Sequence, residues 1–436
     1  MKTFFQIFVF LILSDAAFGQ DFMPMIQKVW QNNQQLAAKD FEIKSAISSL
    51  EEAKSMYGPS VLFNAQYTLS TGGRTILFPI GDLLNPVYNS LNKLNNNSAF
   101  GQLENQTINF LPNNFNDIKF KIQQPIYMPD IALNRSLKEG QLRLKELELK
   151  SYKRLLSKEI MTAYFSKEQA IALTKILESS GLLLTEALRT TQSMITNGIA
   201  LPSSRLRIEA QQAQLSAQII EANSQVTNAN LYIQFLTGDT VNQEISLPEL
   251  PTLDLETSQV REEILQLHEA NSIMALAVKK EDQFYKPSFG VALDVGSQAF
   301  NFGFSPYAFL GLNFEINLYD HKRHQKRRDV AISNMQANSA NQKQVADQFT
   351  LKSKMSENNL IAAIDQAHTF ANRISSAERN YKDVFTKYKA GTAGYLEIID
   401  AENLLTSTKV QYALAKFNAW SKWSEYLYDT AKLTIQ

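Results

Sequence analysis

Leu310-Gly311-Leu312-Asn313-Phe314-Glu315-Ile316-Asn317-Leu318 alternates apolar with small or polar residues at every step, and Tyr319-Asp320-His321 follows it. Successive side chains of a strand point to opposite faces, so the five apolar residues share one face. The same alternation precedes it: Phe289, Val291, Leu293 and Val295 lie opposite Ser288, Gly290, Ala292 and Asp294. Two earlier runs repeat the pattern. Val61, Phe63, Ala65, Tyr67 and Leu69 form one, and Ile118, Phe120 and Ile122 opposite Lys119, Lys121 and Gln123 form the other. Pro125 marks the end of that run or a bulge in it. Four strands of about ten residues, each with one apolar face, have the length and period of membrane-spanning β-strands. Four strands cannot stand alone in lipid, because two open edges leave backbone groups unsatisfied. Either helices cover the sheet in water, or several chains together close a barrel. The small and polar second face of Ser288 to Asp294 suits a wet lumen better than a packed core.

Helical periodicity fills the space between the strands. It runs from about Met25 to Ser55 and stops at Tyr57-Gly58-Pro59. It resumes after Pro129, with Asp130 as N-cap, and continues almost unbroken over 130–197; at about 1.5 Å per residue this is roughly 100 Å of helix. Asn197-Gly198 stops it, and Pro202 opens a further helix over 203–236. The first hairpin, 59–69 with 118–127, encloses a loop of residues 70–117 that is Asn-rich, holds Pro79, Pro86 and Pro112, and shows no sustained periodicity. Loops of that length are usually functional or mobile. An irregular linker of residues 237–255 follows, and then the order repeats over 256–436: helix, hairpin 287–296 with 307–318, and helices 319–389 and 395–434. Tyr285-Lys286-Pro287-Ser288 answers Tyr57-Gly58-Pro59-Ser60, Tyr319 answers Tyr127, and Gly391 answers Gly198, with arms of 72 and 71 residues from tyrosine to glycine. The first hairpin loop is longer than the second by about 36 residues. Residues 20–236 and 256–436 are therefore two copies of helix–hairpin–helix–turn–helix, a duplication rather than a short-unit solenoid.

The composition agrees. The chain has 436 residues, and its 16 Gly and 12 Pro are half the usual share, which suits few turns and long elements. Its 43 Lys and Arg balance 43 Asp and Glu, which speaks against nucleic acid as a partner. Cysteine is absent, removing disulfides, thiolate metal sites and Cys nucleophiles. Lys2, the apolar run Phe4 to Leu13, and Ala17-Phe18-Gly19 predict a secretory signal peptide over 1–19, cleaved before Gln20 rather than kept as an anchor.

On the last helix two seams run side by side at 3,4 spacing. One is Leu396, Ile399, Asn403, Thr406, Val410, Ala413, Phe417 and Trp420; the other is Ile398, Ala401, Leu405, Thr408, Tyr412, Ala415 and Ala419. Two seams mean two neighbours, as in a wall of helices; a simple coiled coil needs one. No phosphate-cradling Gly-rich loop or Gly-x-Ser-x-Gly is present, and His268-Glu269 lacks the second His of a zinc-protease motif, so no enzyme is indicated. His321 and His324 have a metal-like spacing, but Lys322, Arg323, Lys326, Arg327 and Arg328 surround them and repel a cation. The cluster reads instead as a basic collar near the membrane surface.

Three passages in this order, on a duplicated frame behind a signal peptide, resemble the TolC-type outer-membrane efflux family. They are Asn317-Leu318-Tyr319-Asp320-His321, the turn from Tyr388 to Asn403 (YKAGTAGYLEIIDAEN), and its fainter counterpart from Asn197-Gly198 to Glu209. The resemblance implies an α+β membrane protein: a homotrimer with four strands per chain in one twelve-stranded outer-membrane barrel, continued by a periplasmic helical tunnel. It implies passive conduction, an adaptor (membrane fusion) protein and an RND or ABC inner-membrane pump as partners, and no cofactor. Family members constrict the closed tunnel with acids near the periplasmic tip, and the matching residues are Glu397 and Asp400, three apart on one helical face. Tyr388 matches a tyrosine of the closing network, and Gly198, Pro202, Gly391 and Gly394 form the tip turns. Ala393 stands where the family can place a basic residue, and the matching first-half tip carries Arg205 and Arg207 as candidate partners for the acids across helices. The bland reading of Glu397 and Asp400 is a solvated helix start, where acids favour the dipole. The rival to a duct is a coiled-coil periplasmic spacer or adhesin, which needs no lipid-facing strands.

Overall fold

The computed structural model describes residues 15–239, 245–252 and 260–433. Most of the expected signal peptide, the middle of the expected linker, the expected helix start at 256 and the last residues of the chain lie outside them. Contacts divide the chain into two units. One holds Met1–Ser48, Glu139–Ala275 and Ala331–Gln436; the other holds Ser49–Lys138 and Leu276–Val330. Each unit draws on both sequence repeats, because the repeats are interleaved in space.

The second unit is built on one antiparallel sheet, β1 (Ser60–Thr68), β4 (Phe115–Tyr127), β5 (Ser288–Phe300) and β6 (Pro306–Glu315), in the order β1-β4-β5-β6. Two hairpins are thus joined through β4 and β5. The register sorts the side chains into rows. Val61, Ile122, Leu293 and Leu310 align across all four strands, as do Phe63, Phe120, Val295 and Ala308. Val291 faces Leu312, and Phe289 faces Phe314. The opposite face carries Asn64, Lys119, Gly296 and Tyr307 in one row and Gln66, Asp117 and Gln298 in another. The register shifts between Pro125 and Tyr127, so Pro125 sits inside β4 next to a bulge at Ile126 rather than at the strand's end. A side chain at Gly296 would meet the Ile118 carbonyl oxygen at 2.3 Å, so β4 and β5 approach there only because the residue is glycine.

Residues 70–117 are more ordered than their sequence suggests. They hold a small hairpin, β2 (Thr75–Phe78) with β3 (Gln106–Asn109), and an amphipathic helix α3 (Ile80–Leu94). The strands also differ from expectation at their ends. β5 runs on to Phe300, whereas β6 stops at Glu315 and leaves Ile316 to Leu318 outside the ladder. The helix expected from 319 begins at Arg323, because Asp320 caps it: both the backbone N–H and Nδ1 of His324 meet the Asp320 carboxylate at 2.7 Å.

The other unit is helical. The periodicity from Met25 to Ser55 resolves into α1 (Asp15–Asn32) and α2 (Gln34–Ser55), separated at Asn33, whose Oδ1 accepts the Leu36 N–H at 2.9 Å. The remaining helices are α4 (Pro129–Thr196), α5 (Pro202–Thr237), α6 (Glu262–Asp282), α7 (Arg323–Lys389) and α8 (Tyr395–Asp429). The last ends five residues short of the expected 434, and Ala431 beyond it has φ +59°. The main core gathers Phe22, Met25, Ile26, Leu156, Tyr164, Phe165, Ile233, Phe417 and Trp420, with Phe165 and Trp420 rings 5.5 Å apart. A buried ionic cluster lies in the same unit. Asp429, whose side chain is fully buried, meets Arg261 Nη1 at 3.4 Å and Lys352 Nζ at 3.2 Å, and Arg154 pairs with Glu262 at 2.7 Å. Among the described residues no helix is long and apolar enough to cross a membrane.

Candidate functional site

Two turns carry the residues marked by the sequence, and they are built alike. α4 ends in Gly198 (φ +74°), and the N–H groups of Ile199 and Ala200 both return to the Met194 carbonyl. α7 ends in Gly391 (φ +75°), and the N–H groups of Thr392 and Ala393 both return to the Lys387 carbonyl. Each glycine supplies the left-handed conformation that closes a helix on its own carbonyls. The restart differs between the copies. Pro202 takes the first position of α5, where its missing N–H costs nothing, after an extended Leu201. Gly394 is the extended residue before α8, and its N–H donates to Glu397 Oε1 at 3.0 Å.

Beneath the turns lies a small core of Met194, Ala377, Tyr381, Tyr388, Ile398, Ala401 and Leu405. Tyr388 is buried, and its hydroxyl lies 2.6 Å from Thr191 Oγ1, which itself donates to the Ala187 carbonyl at 2.7 Å. The tyrosine therefore ties α7 to α4 inside one chain. Burial, together with the Glu402 and Glu186 carboxylates, pushes the Tyr381 phenol up to about 12. Above it, Arg189 grips Glu186 with two hydrogen bonds of 2.9 Å, and Lys389 Nζ adds a contact at 3.4 Å. These cations hold the Glu186 carboxyl down at about 2.

Glu397 and Asp400 are exposed, while Ile398 and Ala401 between and beside them are buried. The acids thus stand on the side of α8 turned away from this core. Asp400 has no hydrogen-bond or ion-pair partner among the described residues, so its charge is left to solvent or to a neighbour. Arg205 and Arg207 do not engage these acids within the chain. Arg205 pairs with Glu209 one helical turn on, at 3.3 Å, and Arg207 Nη1 donates to the Tyr395 hydroxyl at 3.1 Å. An i,i+4 acid on its own helix is the nearer and cheaper partner for Arg205.

Sequence reasoning missed a third acid on α8, Glu402. It is 2% exposed, and its carboxylate accepts hydrogen bonds from Ser180 Oγ and Thr406 Oγ1. It lines a groove of about 400 Å³ between α4, α5 and α8 with Leu177, Gln211, Gln218 and Asn403. The available signal was its place beside Ala401 in the inner seam, where a charge has no business without partners. The two seams on α8 also separate in space. The inner one is mostly buried, whereas the first four positions of the outer one, Leu396, Ile399, Asn403 and Thr406, are exposed or half-buried.

The histidines at the strand-to-helix junction have structural partners. His324 stacks on Phe284 with centroids 4.1 Å apart and holds Asp320, and His321 Nδ1 lies 2.8 Å from the Tyr319 hydroxyl. Among the described residues no cluster of His, Cys, Asp and Glu is arranged to hold a metal.

The sequence model of the outer membrane efflux protein family matches residues 266–423. No curated protein sequence matches. Solved structures with the same fold include VceC of Vibrio cholerae, 15% identical with a TM-score of 0.72 over 93% of this chain and 95% of that one. The outer-membrane channel OprN is 15% identical with a TM-score of 0.75 over 94% and 90%. The CmeC outer membrane channel of Campylobacter jejuni is 13% identical with a TM-score of 0.74 over 94% and 85%. The efflux-protein sequence signature thus falls on the second repeat, and the fold of these outer-membrane channels extends over nearly the whole length of the chain.

Proposed function

We propose that this chain is one third of an exit duct that passively conducts substrates from periplasm to exterior when an adaptor and an inner-membrane pump recruit it. The observation that carries the reading is the four-stranded sheet: one face carries the apolar rows through Val61 and Phe63, the other carries Asn64, Gln66, Asp117, Lys119 and Asp294 together with Leu62 and Phe309, and β1 and β6 have no further partner among the described residues. An apolar face needs lipid and an unpaired edge needs another strand, and joining β6 of one copy to β1 of the next meets both needs. Three copies give a twelve-stranded barrel whose polar face, with Asp117, Lys119 and Asp294, lines a wet lumen. The start of the outer seam of α8, with Leu396 exposed and Ile399 half-buried, supports the same assembly by offering apolar side chains to a neighbour.

In the assembled duct Glu397 and Asp400 from three copies bring six acids to the tip. Mutual repulsion keeps such a ring hydrated and favours cations over anions. Closure rests on the Tyr388–Thr191 tie within each copy, and the exposed Arg205 and Arg207 exchange Glu209 and Tyr395 for acids of the next copy. Selectivity for a transported compound is left to the pump.

The test is fractionation followed by conductance. A heat-resistant trimer extracted by detergent from the outer membrane, forming cation-preferring pores in planar bilayers, is the expected result. A water-soluble monomer without lipid affinity overturns the duct and leaves the spacer reading.

A further inference from the structure

Resting on the membrane reading above, we infer that the turn joining β6 to α7 binds the phosphate of anionic phospholipid headgroups through Lys322 and Arg323, in the leaflet at the helix-bearing end of the sheet. Two features of the same unit meet there. The first is an aromatic rim. All four strands end on this side beside an exposed tyrosine: Tyr57 before β1, Tyr127 closing β4, Tyr285 before β5 and Tyr319 after β6. Tyrosines at one level of a lipid-facing sheet mark the headgroup layer, where an apolar ring with a polar tip is most at ease. The apolar row of β6 leads straight to it, with Leu318 75% and Tyr319 77% exposed.

The second feature is the charge just beyond that rim. Residues 321–328 hold five Lys and Arg side chains, and they fall into two sets. Arg327 is taken up by Glu281 at 2.9 Å, Arg328 by Asp282 at 2.6 Å, and Lys326 by Asp329 at 3.4 Å. Lys322 and Arg323 have no carboxylate among the described residues; Arg323 commits only Nε, to the Asp320 carbonyl at 3.0 Å. Both are exposed. The two unneutralised cations are thus the pair nearest to Tyr319, and the neutralised ones lie further along α7. A phospholipid phosphate fits this order: its acyl chains run down the Leu318–Leu310 stripe while its charge meets the cations one step past the tyrosine. Cations at that level gain from an anionic surface and fade with salt.

The experiment is native mass spectrometry of the full-length protein, delipidated in mild detergent and offered phosphatidylglycerol or phosphatidylcholine. Phosphatidylglycerol is expected to be retained about tenfold more than phosphatidylcholine. Lys322→Gln with Arg323→Gln should erase that preference, whereas Arg328→Gln, which removes a cation already paired, should leave it within about twofold. Equal retention of both lipids by the unaltered protein overturns this inference and leaves the membrane reading intact. Retention of neither lipid overturns both. Displacement of phosphatidylglycerol by inorganic phosphate alone shows a site for the free anion and overturns the lipid assignment.

Discussion

The Tyr388 hydroxyl sits 2.6 Å from Thr191 Oγ1, joining the end of α7 to α4 across 197 residues of sequence. Thr191 already donates to Ala187, so the tyrosine is the donor and the threonine oxygen its acceptor. Tyr388→Phe removes one buried hydrogen bond and strands no donor. The expected cost is about 1 kcal/mol, seen as faster amide exchange in the tip helices and a higher resting conductance. Unchanged exchange there removes this tie from the closing network.

Glu397 has two tasks that one substitution can separate. Its carboxylate accepts the Gly394 N–H, and its charge faces outward with that of Asp400. Glu397→Gln with Asp400→Asn keeps an acceptor for the cap while removing both charges, and Glu397→Ala with Asp400→Ala removes the cap as well. Both pairs should raise single-channel conductance and weaken cation preference, the alanine pair also loosening the start of α8 by about 1 kcal/mol. If conductance and cation preference both stay put, these acids do not line the constriction.

Glu186 offers a pH test. Hydrogen bonds from Arg189, and Lys389 beside them, hold its carboxyl at about 2. A depressed carboxyl stabilises the fold above the unfolded value near 4.5 and loses that contribution as pH falls toward 2. A carboxyl resonance titrating near 2 is expected, moving up toward 4.5 in Arg189→Gln. Titration near 4.5 in the unaltered protein means the cluster is not formed in solution.

Asp429 is a buried anion held by Arg261, Lys352 and Ser356 Oγ. Arg261→Ala withdraws the better-buried cation and should destabilise the helical unit by about 3–5 kcal/mol, measured as a lowered thermal midpoint. A midpoint shift near zero would show that water reaches this carboxylate freely.

The two faces of the sheet should respond oppositely to charge. Leu310→Arg places a guanidinium in the middle of the apolar rows and should cost about 2–4 kcal/mol in a bilayer, read as failed insertion. Gln298→Arg, opposite Asp117 on the polar face, should insert normally. Equal tolerance of the two refutes the assignment of faces.

The strands were legible because a one-sided apolar face writes its two-residue period directly into Phe289, Val291, Leu293 and Val295. The tip turns were legible too, since Gly198 and Gly391 adopt a conformation that other residues resist. α3 was not. Its Leu83, Val87, Leu91 and Leu94 do keep helical spacing, but Pro86 and the surrounding asparagines read as loop. Those asparagines are what hold it: Asn85 and Asn92 each exchange two hydrogen bonds with the backbone, at Leu103 and Phe100. Glu402 was equally hidden, because no local pattern announces that Ser180, 222 residues away, will supply its hydrogen bond. Likewise the pairing of Arg205 with Glu209 depends on which rotamer wins locally, not on residue types at the tip.

The open edges of β1 and β6 have a genetic corollary. In the proposed three-copy barrel, a polypeptide that cannot seal itself shares its fate with its siblings, so a defective allele expressed beside a healthy one spoils every mixed ring it joins. Lesions on those two margins that prevent joining should therefore be recessive, and lesions in the tip that leave joining intact should be dominant.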